Sequence, residues 1–214
     1  RRIYTPDRIN ATLTLAHGAG AGNRHDFMDN LAQKLASHAI QVVSFNFPYM
    51  QTAYELDKKR PPNRLPALIE HFPQEIEIAR GMSKKPIFIA GKSMGGRVAT
   101  QLMAGPDANL CQGCLVYSYP FIPPGKPEKL EARMSHFSQI KKPLAILQGE
   151  RDTFGGNELL KTVTLPKSFE LSWITSGDHS FKPLKSSGLT SDMNLERAAE
   201  LSSHFINRCL AQKT

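Results

Sequence analysis

Gly91-Lys92-Ser93-Met94-Gly95-Gly96 sets one serine among glycines, directly after the apolar run Pro86-Ile-Phe-Ile-Ala90. The stretch that follows, Met94 to Ala104, has helical character. A G-x-S-x-G sequence between a strand and a helix predicts a sharp turn that lifts the serine hydroxyl above the sheet. The glycines are required where such a turn leaves no room for side chains. The start of the helix then presents free N–H groups and a positive dipole end to any oxyanion formed at Ser93. A phosphate-cradling G-x-x-x-x-G-K-S loop would need glycine at position 86. Pro86 stands there, inside a strand, which excludes that reading. Lys92 is then expected to face solvent or to form a wall.

A serine hydroxyl needs a base to take its proton. Partners to a strand-turn-helix serine follow in the order serine, acid, histidine. His179, in Ser176-Gly-Asp-His-Ser180, is the base candidate. Asp152, in Gln148-Gly-Glu-Arg-Asp152, is the favoured acid because it sits one turn into its loop. Glu150 and Asp178 compete for that role. His25, His38, His71, His136 and His204 are weaker candidates, most of them on expected helices. His17 ends a strand before Gly18-Ala19-Gly20 and reads as support for an oxyanion hole. The hole needs two backbone N–H groups. Met94 supplies one and Ala19 the other, with Gly20 as the alternative to Ala19. The glycines at 18–22 do not make a dinucleotide fingerprint. Position 23 is Asn23, and the next strand ends in Ser44-Phe45-Asn46 without an acid for a ribose.

These residues must be carried by alternating elements. Strands are expected at Ala11–Ala16, Gln41–Phe47, Pro86–Ala90, Gly113–Ser118, Leu144–Gln148 and Ser168–Ile174. A helix is expected from Phe27 to Ala39, with apolar residues four apart. Another spans Leu65 to Ala79, kinked or split by Pro73 and stopped near Gly81. A short charged helix follows the proline-rich loop 120–125. The last helix carries Leu195, Ala198, Ala199, Phe205, Ile206 and Leu210 on one stripe. Pro48–Arg64 reads as an irregular loop. Short apolar strands alternating with helices predict a mostly parallel sheet covered on both faces. Reactive loops then lie beyond the carboxyl ends of the strands. Residues from 48–64 and 119–136 are expected to build the acyl pocket.

The 214 residues are expected to form one domain, 1–214, and the 40% hydrophobic content is ordinary globular composition. The chain begins with Arg1, which leaves room for a leader or a first strand ahead of it. No apolar run approaches the roughly 20 residues of a membrane span. The net charge of +8 comes from scattered basic pairs without interleaved aromatics. That pattern predicts a solvated basic surface and no nucleic-acid partner. The basic residues of 58–60 are a possible attraction for an anionic group on the substrate. Three cysteines point to a reducing compartment, hence the cytoplasm. Cys111-Gln-Gly-Cys114 precedes a strand rather than capping a helix, so it reads as two ordinary thiols. No histidine-carboxylate spacing suggests a metal site, and no cofactor is expected.

One set of motifs comprises His17-Gly-Ala-Gly20, Gly91-Lys-Ser-Met-Gly-Gly96, Tyr119-Pro120 with Pro123-Pro-Gly-Lys-Pro-Glu128, Gln148-Gly-Glu-Arg-Asp-Thr-Phe-Gly155 and Gly177-Asp-His-Ser-Phe181. From about Leu13 onward this set resembles the dienelactone-hydrolase-like α/β-hydrolases. It is most similar to the branch related to testis-expressed protein thirty and the hydrolase-like subunit of the NSL complex. The resemblance implies the α/β-hydrolase fold with minimal or no lid, and nucleophile, acid and base at Ser93, Asp152 and His179. Dienelactone hydrolases themselves use cysteine, so the serine speaks against their substrate. The expected function is a serine hydrolase cleaving an ester, thioester or related acyl bond of a small soluble molecule. The alternative is a non-catalytic binding or scaffold module on the same fold.

Overall fold

The computed structural model describes residues 1–212; the domain expected over 1–214 thus extends two residues beyond those described. Seven strands form one sheet in the order β1-β3-β2-β4-β5-β6-β7. They are β1 (Arg2–Tyr4), β2 (Ala11–Ala16), β3 (Ile40–Phe45), β4 (Ile87–Lys92), β5 (Cys114–Tyr117), β6 (Leu144–Gly149) and β7 (Phe169–Ile174). All neighbours pair in parallel except β1, which runs antiparallel to β3 at one edge. The six strands expected from apolar runs are all present. The three-residue β1 is additional; its half-exposed sequence carries no apolar run.

Side chains alternate between the two faces because strand residues point to opposite sides in turn. On one face, Leu13, Leu15, Val42, Phe88 and Ala90 pack under helices α1 (Asp26–Ser37) and α7 (Ser191–Ala211). On the other, Phe45, Ile87, Ile89 and Val116 meet α2 (Pro48–Glu55), α3 (Leu65–Met82) and α4 (Met94–Ala104). Two short helices, α5 (Leu130–Met134) and α6 (Asn157–Leu160), lie in the connections around β6.

Two expectations are corrected. Helix α3 runs unbroken through Pro73 and past Gly81 to Met82. An internal proline costs about 3 kcal/mol. Leu68, Phe72 and Ile76 are essentially fully buried on that helix. At about 1.5–3 kcal/mol for each such side chain, their burial outweighs the cost. The segment 48–64 is not wholly irregular: its first half is α2, with Pro48 at a position where its missing N–H costs nothing. Of the two places expected for Lys92, solvent or a wall, it takes the second: it is buried at the end of β4 and lines a cavity. Among the described residues, no helix is long and apolar enough to cross a membrane.

Candidate active site

Ser93 sits between β4 and α4 with φ 52° and ψ −113°, a left-handed backbone that a side chain rarely adopts. The surroundings hold it there. Its N–H donates to the Tyr117 carbonyl at 2.9 Å, and its carbonyl accepts from Arg97 N–H at 3.0 Å as the first bond of α4. The flanking glycines let the turn close. A Cβ on Gly91 would collide with the Gly95 backbone, and one on Gly95 would lie 2.5 Å from the His17 carbonyl oxygen. Met94 opens the helix, where N–H groups have no acceptor within the helix.

The structure brings the three sequence-selected side chains into one hydrogen-bonded run. Ser93 Oγ lies 2.9 Å from His179 Nε2. His179 Nδ1 lies 2.8 and 3.0 Å from the two oxygens of Asp152. With Nδ1–H donated to the carboxylate, Nε2 is left as an acceptor aimed at the hydroxyl. The Asp152 side chain is fully buried, whereas that of His179 is 23% exposed. The carboxylate therefore works in a dry environment while the imidazole remains open to a ligand.

Further donors fix the carboxylate. Phe154 N–H donates to Oδ1 at 2.8 Å, a local turn closed by the aspartate itself. Gln148 Nε2 donates to Oδ2 at 2.8 Å, and Gln148 Oε1 accepts from Tyr119 N–H at 2.8 Å. The rival acids are engaged elsewhere. Glu150 accepts from Ser176 N–H at 2.7 Å, and Asp178 accepts from Ser180 and Lys182 N–H groups. Both shape loops and neither is bonded to His179.

His17 is fully buried behind the loop 18–22. Its Nε2 accepts from Phe47 N–H at 3.1 Å, so Nδ1 carries the proton and donates to the Gly18 carbonyl at 2.6 Å. Burial lowers its pKa to about 4, opposed by the bond to the Gly18 carbonyl, so it is neutral near pH 7. The Tyr49 hydroxyl donates to the Ala19 carbonyl at 2.8 Å and reaches that of Gly18 at 3.3 Å. In a trans peptide the N–H points opposite to the C=O. With both carbonyls drawn toward Tyr49, the N–H groups of Ala19 and Gly20 turn the other way.

A cavity of about 350 Å³ opens over this arrangement, lined by Gly18–Ala21, His25, Phe27, Met28, Lys92, Ser93, Phe154 and His179–Ser180. Its walls therefore come from the β2–α1 loop, the start of α1 and the loops that carry Phe154 and His179, and not from 48–64 or 119–136 as expected. The Phe154 ring stacks on His179 with centroids 4.2 Å apart. Tyr49, Gln148, Phe27, Met28 and Phe154 were not singled out in the sequence. Phe154 was within reach, two residues after Asp152. Tyr49 lies on α2, where the sequence pattern predicts a loop. His136, buried and bonded to Gln101 and Thr100, lies apart from this cavity.

Lys92 forms part of the wall. Its Nζ donates to the His179 carbonyl at 2.6 Å and lies 5.3 Å from the centre of the Phe27 ring. Burial pulls its pKa down to about 8, against the attraction of Asp152 and Asp178. Cys111 and Cys114 are buried thiols, and burial pushes the first up to about 11 and the second upward as well. They have no thiolate character near pH 7. Among the described residues, no three His, Cys, Asp or Glu side chains gather as metal ligands would.

A model of the alpha/beta hydrolase domain family matches residues 9–207. A comparison with curated proteins gives no match. Among solved structures, an alpha-beta serine hydrolase homologue from Coxiella burnetii is similar with TM-score 0.68 at 18% identity, over 96% of this chain and 89% of that one. Dienelactone hydrolase from Anabaena variabilis is similar with TM-score 0.68 at 16% identity, over 96% and 89%. An esterase from Pyrococcus furiosus is similar with TM-score 0.67 at 16% identity, over 94% and 83%. At these identities the likeness speaks for the fold, and it agrees with the architecture expected from the motifs.

Proposed function

Since this chain belongs to the alpha/beta hydrolase family, we propose that it is a serine hydrolase acting on an ester, thioester or related acyl bond of a small molecule. The observation that carries this reading is the unbroken run Ser93 Oγ–His179 Nε2, His179 Nδ1–Asp152 at the floor of a cavity. Ser93 Oγ attacks the carbonyl carbon while His179 Nε2 takes its proton. Asp152 holds the imidazole tautomer and stabilises the imidazolium. The N–H groups of Met94 and Ala19 receive the negative oxygen. His179 then hands its proton to the departing alcohol or thiol, leaving an acyl group on Ser93. Water, deprotonated by His179, releases the acid and restores the serine. Each proton and charge has a partner in the chain, so the scheme uses no metal or organic cofactor.

Within the family, the quoted motif set supports placing the chain in the branch related to testis-expressed protein thirty and the NSL-complex subunit. We take residues 1–214 as one working domain. Its buried thiols fit a reducing, cytoplasmic setting, and the scheme involves neither membrane nor nucleic acid.

A fluorophosphonate probe tests the reading, because it labels only an activated serine. The expected result is a single adduct on Ser93, lost in Ser93→Ala, together with hydrolysis of short acyl esters. A folded protein that takes no label and cleaves none of these esters is the result that favours the scaffold alternative.

A further inference from the structure

A second cavity, of about 640 Å³, adjoins the first across the loop 18–22. The two share Ala19, Gly20, Ala21 and His25 as lining, so they lie on either side of the same short loop, within reach of one extended ligand. The chemistry of the two differs. The first is walled by Phe27, Met28 and Phe154. The second is lined by Arg24, Lys58, Lys59 and Arg60, with Asp57 as its one acid.

These four cations are placed by the fold. The Arg24 guanidinium lies 4.7 Å from the centre of the Tyr54 ring on α2, a cation–π contact. Helix α2 ends at Glu55, Asp57 two residues on has a left-handed φ of 47°, and Lys58 N–H bonds back to the Ala53 carbonyl at 3.0 Å. Lys58, Lys59 and Arg60 follow directly and line the cleft. Among the described residues, none of the four is in an ion pair, whereas Lys34, Arg80, Lys161, Arg197 and Arg208 all have carboxylate partners. Four cations against one acid leave a local excess of positive charge. One carboxylate on a substrate would need only one of them. Several neighbouring phosphate oxygens would engage them all.

We propose that this cleft holds the phosphate groups of the leaving alcohol or thiol, so that the substrate is a short acyl ester or thioester of a phosphorylated carrier. The apolar cavity takes the acyl chain, and the open basic cleft takes the charged remainder, which leaves directly into solvent. This rests on the serine-hydrolase reading above.

The test compares butyryl-coenzyme A with S-butyryl-N-acetylcysteamine, which share an acyl thioester but differ in phosphate. The proteins are the wild-type chain and a Lys58→Ser/Lys59→Ser/Arg60→Ser variant, altered only in exposed residues. The expected kcat/KM preference of the wild type for the phosphorylated thioester is roughly tenfold or more at low salt, through KM, and smaller as salt rises. In the variant the ratio falls toward one. Equal kcat/KM for the two substrates in the wild type, or an undiminished preference in the variant, overturns the proposal. Calorimetric titration with coenzyme A and with pantetheine separates the two readings if neither thioester is cleaved. Binding of coenzyme A alone, weakened in the variant, supports the cleft even without turnover. No binding of either overturns the cleft and leaves the hydrolase reading to the fluorophosphonate result.

Discussion

Lys92 Nζ donates a 2.6 Å hydrogen bond to the backbone carbonyl of His179, so the residue preceding the nucleophile tethers the loop that carries the base. The ammonium is buried. A Lys92→Met variant keeps the apolar stem and loses the tether. The expected result is a kcat about tenfold lower with KM nearly unchanged, because a small misplacement of the base slows proton transfer more than binding. Burial has lowered this pKa from 10.5 to about 8. Between those values the unfolded chain holds a proton that the folded protein releases, so folding stability rises with pH through that window. Denaturant midpoints from pH 8 to 10.5 are therefore expected to rise in the wild type relative to Lys92→Met. Unchanged kcat in the variant would reduce Lys92 to a wall.

Ser93→Ala removes only a hydroxyl at a turn whose backbone is held by Tyr117 and Arg97. The protein is expected to stay folded while turnover falls by about a million-fold, as in the subtilisin case. Circular dichroism and ester hydrolysis measured together check this. Residual turnover near the wild-type rate would mean another nucleophile.

Asp152→Asn is expected to cost roughly ten-thousand-fold in kcat, by analogy with the serine-protease aspartate, because an amide leaves the imidazole in the wrong tautomer. Glu150→Gln and Asp178→Asn, which alter loop contacts only, are expected to cost far less. A crippling Glu150→Gln alongside an active Asp152→Asn would move the acid.

Much of this site was legible because its residues follow from local rules. Ser93 needed only a strand, a turn of glycines and a helix. His179 follows from the order of the strands, whereas for the acid that order leaves Glu150 and Asp178 beside Asp152, and only depth in the loop favours Asp152. What escaped depends on packing between distant segments. Tyr49 reaches Ala19 from thirty residues away. Its helix, α2, is short and polar, and its Pro48 resembles a loop signal as much as a helix start. The acyl cavity was misplaced for the same reason: α1 tilts Phe27 and Met28 over Ser93, a relation no spacing encodes. Pro73 misled in the opposite direction, since burial on α3 overrode a local propensity.

His17 is expected to act through stability and loop geometry rather than through its own proton. His17→Leu removes the acceptor for Phe47 N–H and the donor to the Gly18 carbonyl. Phe47 N–H is left without this acceptor, while the Gly18 carbonyl keeps the longer 3.3 Å contact from the Tyr49 hydroxyl, so a loss of roughly 1–3 kcal/mol is expected in chemical denaturation. The depressed pKa of about 4 gives a second readout. As pH falls from 6.5 toward 4, the unfolded chain takes a proton that the folded one refuses, so stability present above pH 6.5 is lost through that window. His136, lowered to about 4 by its burial, adds to the same loss. The slope should be shallower in His17→Leu; an identical slope would show that His17 titrates freely.

The acyl group is expected to be short, and turnover should not depend on an interface. The cavity over Ser93 is about 350 Å³, near the lower end for small-molecule sites. Phe154 limits it on one side by stacking on His179, and Phe27 and Met28 limit it on the other. The nearest segment that could serve as a lid is α2 with its following loop. That helix is anchored by buried Tyr49 and Met50, and the loop displays Asp57, Lys58, Lys59 and Arg60. Apart from the single exposed Leu56, that surface is polar and charged, without a broad apolar face to open onto lipid. Activity over a series of p-nitrophenyl esters is therefore expected to peak at short chains and decline as the chain lengthens. Phe154→Ala should move the optimum to longer chains while lowering kcat, since the same ring both bounds the cavity and steadies the imidazole. A rate jump when a long-chain ester passes its critical micelle concentration would contradict the small-substrate reading. An unmoved optimum in Phe154→Ala would mean that the acyl chain lies elsewhere.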